Sequence, residues 1–376
     1  MPRSNKCKDG SLHFFIMKDI VGIGIVGTGF ARSVQIPAFL SIENARIVSV
    51  ASGSIENARA TAAEFGVGHY TNDWHETIRH ADVDLVCITT PPYLHHEMAL
   101  FALEHEKHIL CEKPMAMNAA EAIEMAAAAN SVNVLALIDH ELRFQHGRQM
   151  AFAMLRFGEI GKVRHAKWHF QAPHRGDPAR SWNWWSDKEQ GGGALGAINS
   201  HIIDSFHWLL GTSISSVFCQ LHTVIKERQD PSGTLRQVTS DDEANMLLRF
   251  SDSDLTDDAT GLVSVSMTEG PKYQNRMEIF GTNGVMSIGH RGELFVARAG
   301  ESDFNEIDVD LGKPIHGVPD TGFARGFMAF APKIVDAISK GENFVENAAT
   351  FEDGVQVQRV LDAARESDAT KRVVEI

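Results

Sequence analysis

Lys113 stands in Cys111-Glu112-Lys113-Pro114, directly after the apolar run His108-Ile109-Leu110. A lysine at the C-terminal end of a strand in a parallel sheet points into the crevice where ligands bind. Pro114 has no backbone donor and fixes the chain direction just after it. The position is built to present an amine to a ligand. A second chemical feature lies upstream. Gly27-Thr28-Gly29 follows a continuous apolar and glycine run over 21–26 and precedes a helical stretch over 30–40. Glycines in that context allow a tight turn and let backbone amides approach a pyrophosphate at a helix N-terminus. Gly27, Thr28, Gly29, Phe30 and Ala31 are therefore candidate dinucleotide contacts. The fingerprint is incomplete, because Arg32 stands where a third glycine is usual.

The second strand ends in Ala51-Ser52-Gly53-Ser54. An acidic residue there would hold the adenosine ribose and repel a 2′-phosphate. Ser52, Gly53 and Ser54 instead leave room and hydrogen bonds, and Arg32 or Arg59 lies within a turn or two. The expected cofactor is NADP or NAD, with a lean to NADP. Both arginines fit equally well as solvated helix residues.

These residues need a scaffold, and the pattern supplies one. Strands over 21–26, 45–51, 84–88, 107–110 and 134–138 alternate with helices over 30–40, 55–65, 94–104 and 118–129. Buried apolar runs alternating with helices predict a doubly wound parallel sheet, the Rossmann arrangement. After about residue 140 the period changes. A helix over 149–157 leads to strands over 163–171, 217–225, 245–250, 262–268, 276–280 and 285–288, which predict a large open, mainly antiparallel sheet. Gly281-Thr282-Asn283-Gly284 reads as a hairpin turn, and the acidic stretch 252–258 as a solvated hairpin tip. Helices over 326–340 and 351–365 close an α/β chain. The expected division is a disordered extension over 1–18, a dinucleotide-binding domain over 19–140 and a substrate-binding and oligomerisation domain over 141–376. The late helices are free to pack back on the first domain.

Composition bounds the function. Among 376 residues, 43% are apolar and 22% charged, and the net charge is −14. That charge disfavours nucleic acid and anionic membranes, whose phosphates need a basic surface. No apolar run approaches the roughly 18 residues of a membrane span. The four cysteines lie far apart without metal-finger spacing, which fits a reducing cytoplasm. The eighteen histidines show no H-E-x-x-H spacing, so no metal is expected.

Thr90-Pro91-Pro92-Tyr93-Leu94-His95, then Lys107-His108 and Cys111-Glu112-Lys113-Pro114, resembles the Gfo/Idh/MocA oxidoreductases (glucose–fructose oxidoreductase, inositol dehydrogenase, rhizopine catabolism). Gly191-Gly192-Gly193-Ala194-Leu195, Ser200-His201-Ile202-Ile203-Asp204 and Trp208-Leu209-Leu210-Gly211 are similar to that family's second domain. The resemblance covers most of residues 20–376. It implies a Rossmann domain, a second α/β domain whose open sheet commonly forms a dimer interface, and reversible hydride transfer at a sugar or cyclitol carbon. Thr90, Pro91, His95, Glu112 and Lys113 become further candidate cofactor contacts. A homodimer or homotetramer and a carbohydrate substrate are the expected partners.

Oxidising a secondary alcohol needs one group to polarise the oxygen and one to take its proton. Lys113 suits the first task. His201 suits the second if its pKa stays near the ordinary ~6.5. Asp204, one helical turn on, is expected to orient His201. Many members of the family place a catalytic aspartate four residues before the histidine; here that position is Ala197. Arg180, Trp182, Trp184 and Trp185 read as a sugar wall or as core, and Arg143 as lining the cleft or joining the domains. Two alternatives stay open: a reductase of a dihydrodiol, tetrapyrrole or imine, and a non-enzymatic nucleotide-sensing regulator.

Overall fold

The computed structural model describes residues 18–376, so the expected extension over 1–18 lies, apart from Lys18, outside the described residues. The first half alternates strand and helix: β1 (Val21–Val26), α1 (Ile36–Leu40), β2 (Ala45–Ala51), α2 (Ile55–Phe65), β3 (His69–Thr71), α3 (Trp74–Arg79), β4 (Leu85–Ile88), α4 (His95–Glu104), β5 (His108–Cys111), α5 (Ala119–Asn130) and β6 (Ala136–Ile138). The strands pair in parallel in the order β3-β2-β1-β4-β5-β6. Every residue of β1 is buried, as its unbroken apolar run requires. A Cβ on Gly22 would sit 1.7 Å from the carbonyl oxygen of Asp82, so only glycine lets that loop cross the strand.

Successive chain crossings run outward in both directions from β1 and β4, and a crevice opens at their carboxyl ends. Backbone bonds hold this rim in line. Gly27 donates to Ala51, Thr89 to Val26, Glu112 to Ile88 and Asp139 to Cys111, at 2.7–2.9 Å. Every strand end that carries a candidate site residue is thus tied to its neighbour.

The second half contains α6 (His146–Arg156), β7 (Val163–Gln171), α7 (Ser200–Leu210), β8 (Ile214–His222), β9 (Glu227–Gln229), β10 (Leu235–Gln237), β11 (Glu243–Phe250), β12 (Thr256–Ser266), β13 (Gln274–Gly281), β14 (Gly284–Ile288), β15 (Leu294–Arg298), β16 (Asn305–Ile307), α8 (Gly322–Ser339), β17 (Ala349–Thr350), α9 (Phe351–Thr370) and β18 (Val374–Glu375). Nine strands form a sheet in the order β16-β15-β14-β13-β7-β12-β11-β8-β18, antiparallel except for β7 with β12. The expected fold class, a Rossmann sheet followed by a large, mainly antiparallel sheet, holds. One face of this sheet packs under α6, α7 and α9; on the other, Leu247 and Leu262 stay exposed.

Several local expectations needed correction. The acidic stretch 252–258 is not all hairpin tip, because β12 begins at Thr256. Thr256 is buried and its hydroxyl donates to Ser251, which draws Asp257 and Asp258 into the strand as exposed residues. The strand expected over 217–225 starts at Ile214 and ends at His222, set by its pairing with β11. Strands of two or three residues, β3, β17 and β18 among them, are too short to show a period in sequence.

The late helices bridge the halves. β17 adds antiparallel to β6, and α8 covers one face of the first sheet. Phe327 of α8 packs edge-on against Phe39 at 5.5 Å, and Phe330 stacks on Phe144 at 4.1 Å. Among the described residues, no helix is long and apolar enough to cross a membrane. Phe327 is fully buried in the first core. Phe327→Ala is expected to cost about 3–5 kcal/mol, read as a lower midpoint in urea unfolding. An unchanged midpoint would show that α8 is not part of the first core.

Candidate active site at the sheet rim

Gly27 leaves β1 with φ +95°, and a Cβ there would lie 2.5 Å from the carbonyl carbon and oxygen of Thr89. The turn therefore requires glycine and seats directly on the end of β4. A Cβ on Gly29 would meet nothing within 4 Å, so this side of the turn is open to a ligand. A π-helical turn, Ala31–Gln35, follows and runs into α1. The Asn57 amide nitrogen donates to Thr28 Oγ1 at 2.6 Å and to Ser52 Oγ at 3.0 Å, fastening the glycine turn to the end of β2. An open-sided glycine turn at a helix start, flanked by hydroxyls at the next strand end, fits a dinucleotide.

The arginines do not serve the same spot. Arg32 is paired with Glu64 at 2.5 Å, and Arg59 lies over Tyr70 at 5.8 Å. Ser54 caps α2 and donates to Glu56 Oε2 at 2.9 Å. Backbone and Ser54 hydrogen bonds hold the Glu56 carboxyl below its usual range, so it stays charged. His95 is buried with its ring nitrogens 3.0 Å from Pro114 O and 2.9 Å from Thr90 O. It ties two loops together, and both nitrogens are occupied by backbone; this corrects its reading as a cofactor contact. Thr90 Oγ1 lies against the sulfur of Met98, and Pro91 opens the short helical turn Pro92–Leu94.

Lys113 crosses the junction between the two halves. Its Nζ donates to the carbonyl of Ala197 at 3.0 Å. Ala197 lies in a second π-helical turn, Leu195–Asn199, just ahead of α7. Such turns disturb the regular carbonyl ladder and occur often at functional sites. Asp241 anchors this turn by accepting from Leu195 N at 2.7 Å; burial raises its carboxyl to about 6. Gly191, at φ +82°, would carry a Cβ only 2.5 Å from Pro92 Cβ, so the glycine run rests on the first domain.

α7 then places His201 at 2% exposure. Its Nδ1 has no hydrogen-bond partner and lies 3.9 Å from Glu141 Oε2. The ring is 5.5 Å from His140 and 5.0 Å from Phe323. Burial first, then the charge of Lys113, pushes the His201 pKa well below its ordinary value. The expectation of an ordinary imidazole is corrected: burial and Lys113 keep His201 neutral and weaken its hold on an accepted proton.

Asp204 does not orient His201. The Arg143 guanidinium grips both its oxygens, with Nη2 at 2.6 Å and Nε at 2.9 Å. Arg143 Nη2 also reaches Asp353 at 3.2 Å, at the start of α9. Arg143 is 4% exposed, so it joins the halves and does not line a cleft. The tryptophans also separate. Trp185 faces the second core with Arg175 at 4.1 Å over its ring, and Trp182 donates to Gln237 O beneath Arg236. Trp184 and Arg180 remain exposed. The four form no single wall, because Trp185 and Trp182 are claimed by different neighbours while Trp184 and Arg180 face solvent.

Two carboxyls behind Lys113, Asp139 and Glu141, were missed in the sequence; Glu112 was expected only as a cofactor contact. Glu112 and Asp139 share Gln35 Nε2, at 3.4 and 2.8 Å, and Glu141 follows two residues on. Asp139 and Glu141 are at most 2% exposed. Burial, then repulsion from Glu112, raises both well above the usual carboxylate range. A signal was present: Asp139-His140-Glu141 directly follows β6, at the strand ends where ligands bind. Among the described residues, no group of three or more His, Cys, Asp or Glu is arranged for a metal.

Comparison with known proteins agrees with this layout. The profile of the Gfo/Idh/MocA oxidoreductases, described as an NAD-binding Rossmann fold, matches residues 21–140. That of the Gfo/Idh/MocA C-terminal domain matches residues 149–287. Levoglucosan dehydrogenase of Pseudarthrobacter phenanthrenivorans is 30% identical, covering 95% of this chain and 98% of its own. Glucose-6-phosphate 3-dehydrogenase of Bacillus subtilis is 25% identical, covering 94% and 98%. The solved structure of levoglucosan dehydrogenase with NADH and levoglucosan superposes with a TM-score of 0.84 at 28% identity, covering 95% and 99%. An oxidoreductase domain protein from Kribbella flavida reaches 0.85 at 30% identity, with the same coverage.

Two outcomes follow from the geometry. Gly27→Ala is expected to weaken NADH binding about tenfold or more, since about 1.4 kcal/mol of strain corresponds to tenfold; a fluorescence titration with an unchanged Kd would exclude this turn as the pyrophosphate seat. Arg143→Met leaves Asp204 buried without its partner and is expected to cost about 3–5 kcal/mol, read in chemical unfolding.

Proposed function

The chain belongs to the Gfo/Idh/MocA family of NAD-binding oxidoreductases, and from that premise we propose that it transfers a hydride between nicotinamide and a secondary alcohol or ketone carbon of a sugar, glycoside or cyclitol. The observation that carries the reading is the junction itself. Lys113 from the nucleotide-binding half and His201 from the other half converge there, with the Lys113 amine already bonded to the π-turn before α7. The relatives' activity on levoglucosan and glucose 6-phosphate supports a carbohydrate substrate.

The dinucleotide supplies the hydride acceptor or donor. Gly27 and Gly29 would seat its pyrophosphate, and Thr28 and Ser52 would face its ribose. Lys113 Nζ is the donor that exchanges Ala197 O for the substrate oxygen and stabilises the charge that develops on it. His201, neutral and desolvated, takes the hydroxyl proton at Nε2. NAD is favoured over NADP: Arg32 is neutralised by Glu64, and the Glu56 carboxylate in the first turn of α2, just beyond β2, would repel a 2′-phosphate. The exposed face carrying Leu247 and Leu262 supports self-association through the second sheet.

Assays at 340 nm with levoglucosan, sugars, sugar phosphates and cyclitols, each with NAD and NADP, test the proposal. Lys113→Ala is expected to lower turnover by at least a hundredfold while NADH affinity stays within about twofold. Turnover retained in that variant would overturn the role of Lys113, and a preference for NADP would overturn the cofactor reading.

A further inference from the structure

His201 poses a physical problem that its own helix does not solve. An imidazole that is 2% exposed and close to Lys113 and Arg148 holds an accepted proton poorly. Position 197 is alanine, and Asp204 is held by Arg143. Among the described residues, the acidic oxygen nearest to His201 Nδ1 is Glu141 Oε2, at 3.9 Å. Nδ1 is itself an orphaned buried polar atom.

Glu141 is held where it can act. Gly326 of α8 presses on its backbone; a Cβ there would lie 2.4 Å from Glu141 O and 3.3 Å from Glu141 Cγ. The charged and titratable groups around the pair come from every neighbouring element. Glu112 and Lys113 lie at the end of β5, Asp139 and His140 at the end of β6, Arg148 in α6 and Asp204 in α7. α8 contributes the Phe323 ring and Gly326.

We propose that Glu141 is the positioning residue and proton acceptor for His201, in place of an acidic residue at position 197. This inference rests on the dehydrogenase reading. As hydride leaves the substrate carbon, the hydroxyl proton passes to His201 Nε2. The Nδ1 proton passes to the Glu141 carboxylate, which becomes a carboxylic acid, and the imidazole ends neutral. The transfer requires the 3.9 Å separation to shorten to hydrogen-bond length; such contacts are often long without substrate. Burial, then repulsion from Glu112, raises the proton affinity of Glu141, and Lys113 opposes them by favouring the carboxylate that the step needs.

Glu141→Gln keeps the shape and removes a like charge from a crowded cluster, so the fold and NADH affinity are expected to persist. Alcohol oxidation is expected to fall on the order of 10²-fold at pH 7. The deficit should shrink as pH rises, because hydroxide replaces the missing acceptor. A loss that is constant across pH, or no loss, overturns the proposal. Glu141→Gln combined with Ala197→Asp should regain at least part of the rate. A second readout needs no substrate. In ¹⁵N imidazole spectra, assigned through His201→Gln, His201 should carry its proton on Nδ1 in the wild type and shift toward Nε2 in Glu141→Met. An unchanged tautomer overturns the pairing. If the wild type turns over no alcohol, the dehydrogenase reading fails, while the spectra still decide whether Glu141 partners His201.

Discussion

Arg143 is the contact on which the geometry of the junction rests. Its guanidinium lies between Asp204 of α7 and Asp353 of α9, and α9 packs against both sheets. Desolvating such charges is expensive, and only good geometry with saturated hydrogen bonds offsets the cost. Here the fork of Arg143 meets both oxygens of Asp204, and the Thr350 cap shares Asp353. Burial acts against the Asp353 carboxylate, yet Arg143 and Thr350 keep it below its usual range. Because α7 carries His201 just ahead of Asp204, holding Asp204 fixes where the imidazole stands relative to Lys113.

Electrostatics at the junction follow from the same economy of space. The half-buried Lys113 acts on Glu112 and Glu141, which with Asp139 form a set of carboxyls that burial makes reluctant to ionise together. Its positive charge favours ionisation of Glu112 and Glu141 and disfavours protonation of His201. One amine therefore adjusts three proton affinities that burial chiefly sets. The backbone supplies the other half of the design. Two π-helical turns, Ala31–Gln35 and Leu195–Asn199, begin the helices that face the crevice from either side. Their irregularity leaves carbonyls and amides available for partners other than the helix itself.

Much of this was legible in the sequence. The continuous apolar run of β1, the glycine turn after it and the lysine after β5 follow from local rules: both-face burial, the φ that only glycine adopts freely, and the placement of ligands at strand ends. Those rules act over a few residues, so a single chain displays them. The change of period after residue 140 likewise marked the second sheet, because alternating burial writes itself into every other residue.

The partners of the site residues were a matter of tertiary structure alone. Asp204 stands one turn from His201, yet its side chain meets Arg143, sixty-one residues away in sequence. Ser52 and Ser54 read as an open phosphate seat until the fold brought Asn57 to one and Glu56 to the other. His95, Trp182 and Trp185 had the right chemistry for ligands but were claimed by carbonyls and core. Glu141 stands two residues before Arg143, but its closeness to His201 depends on α7 and α8 packing against the turn that follows β6. The sequence alone determined which residue types and which backbone turns were available. Packing decided which of them face one another, because hydrogen bonds and charge pairs form between surfaces that only the folded chain brings together.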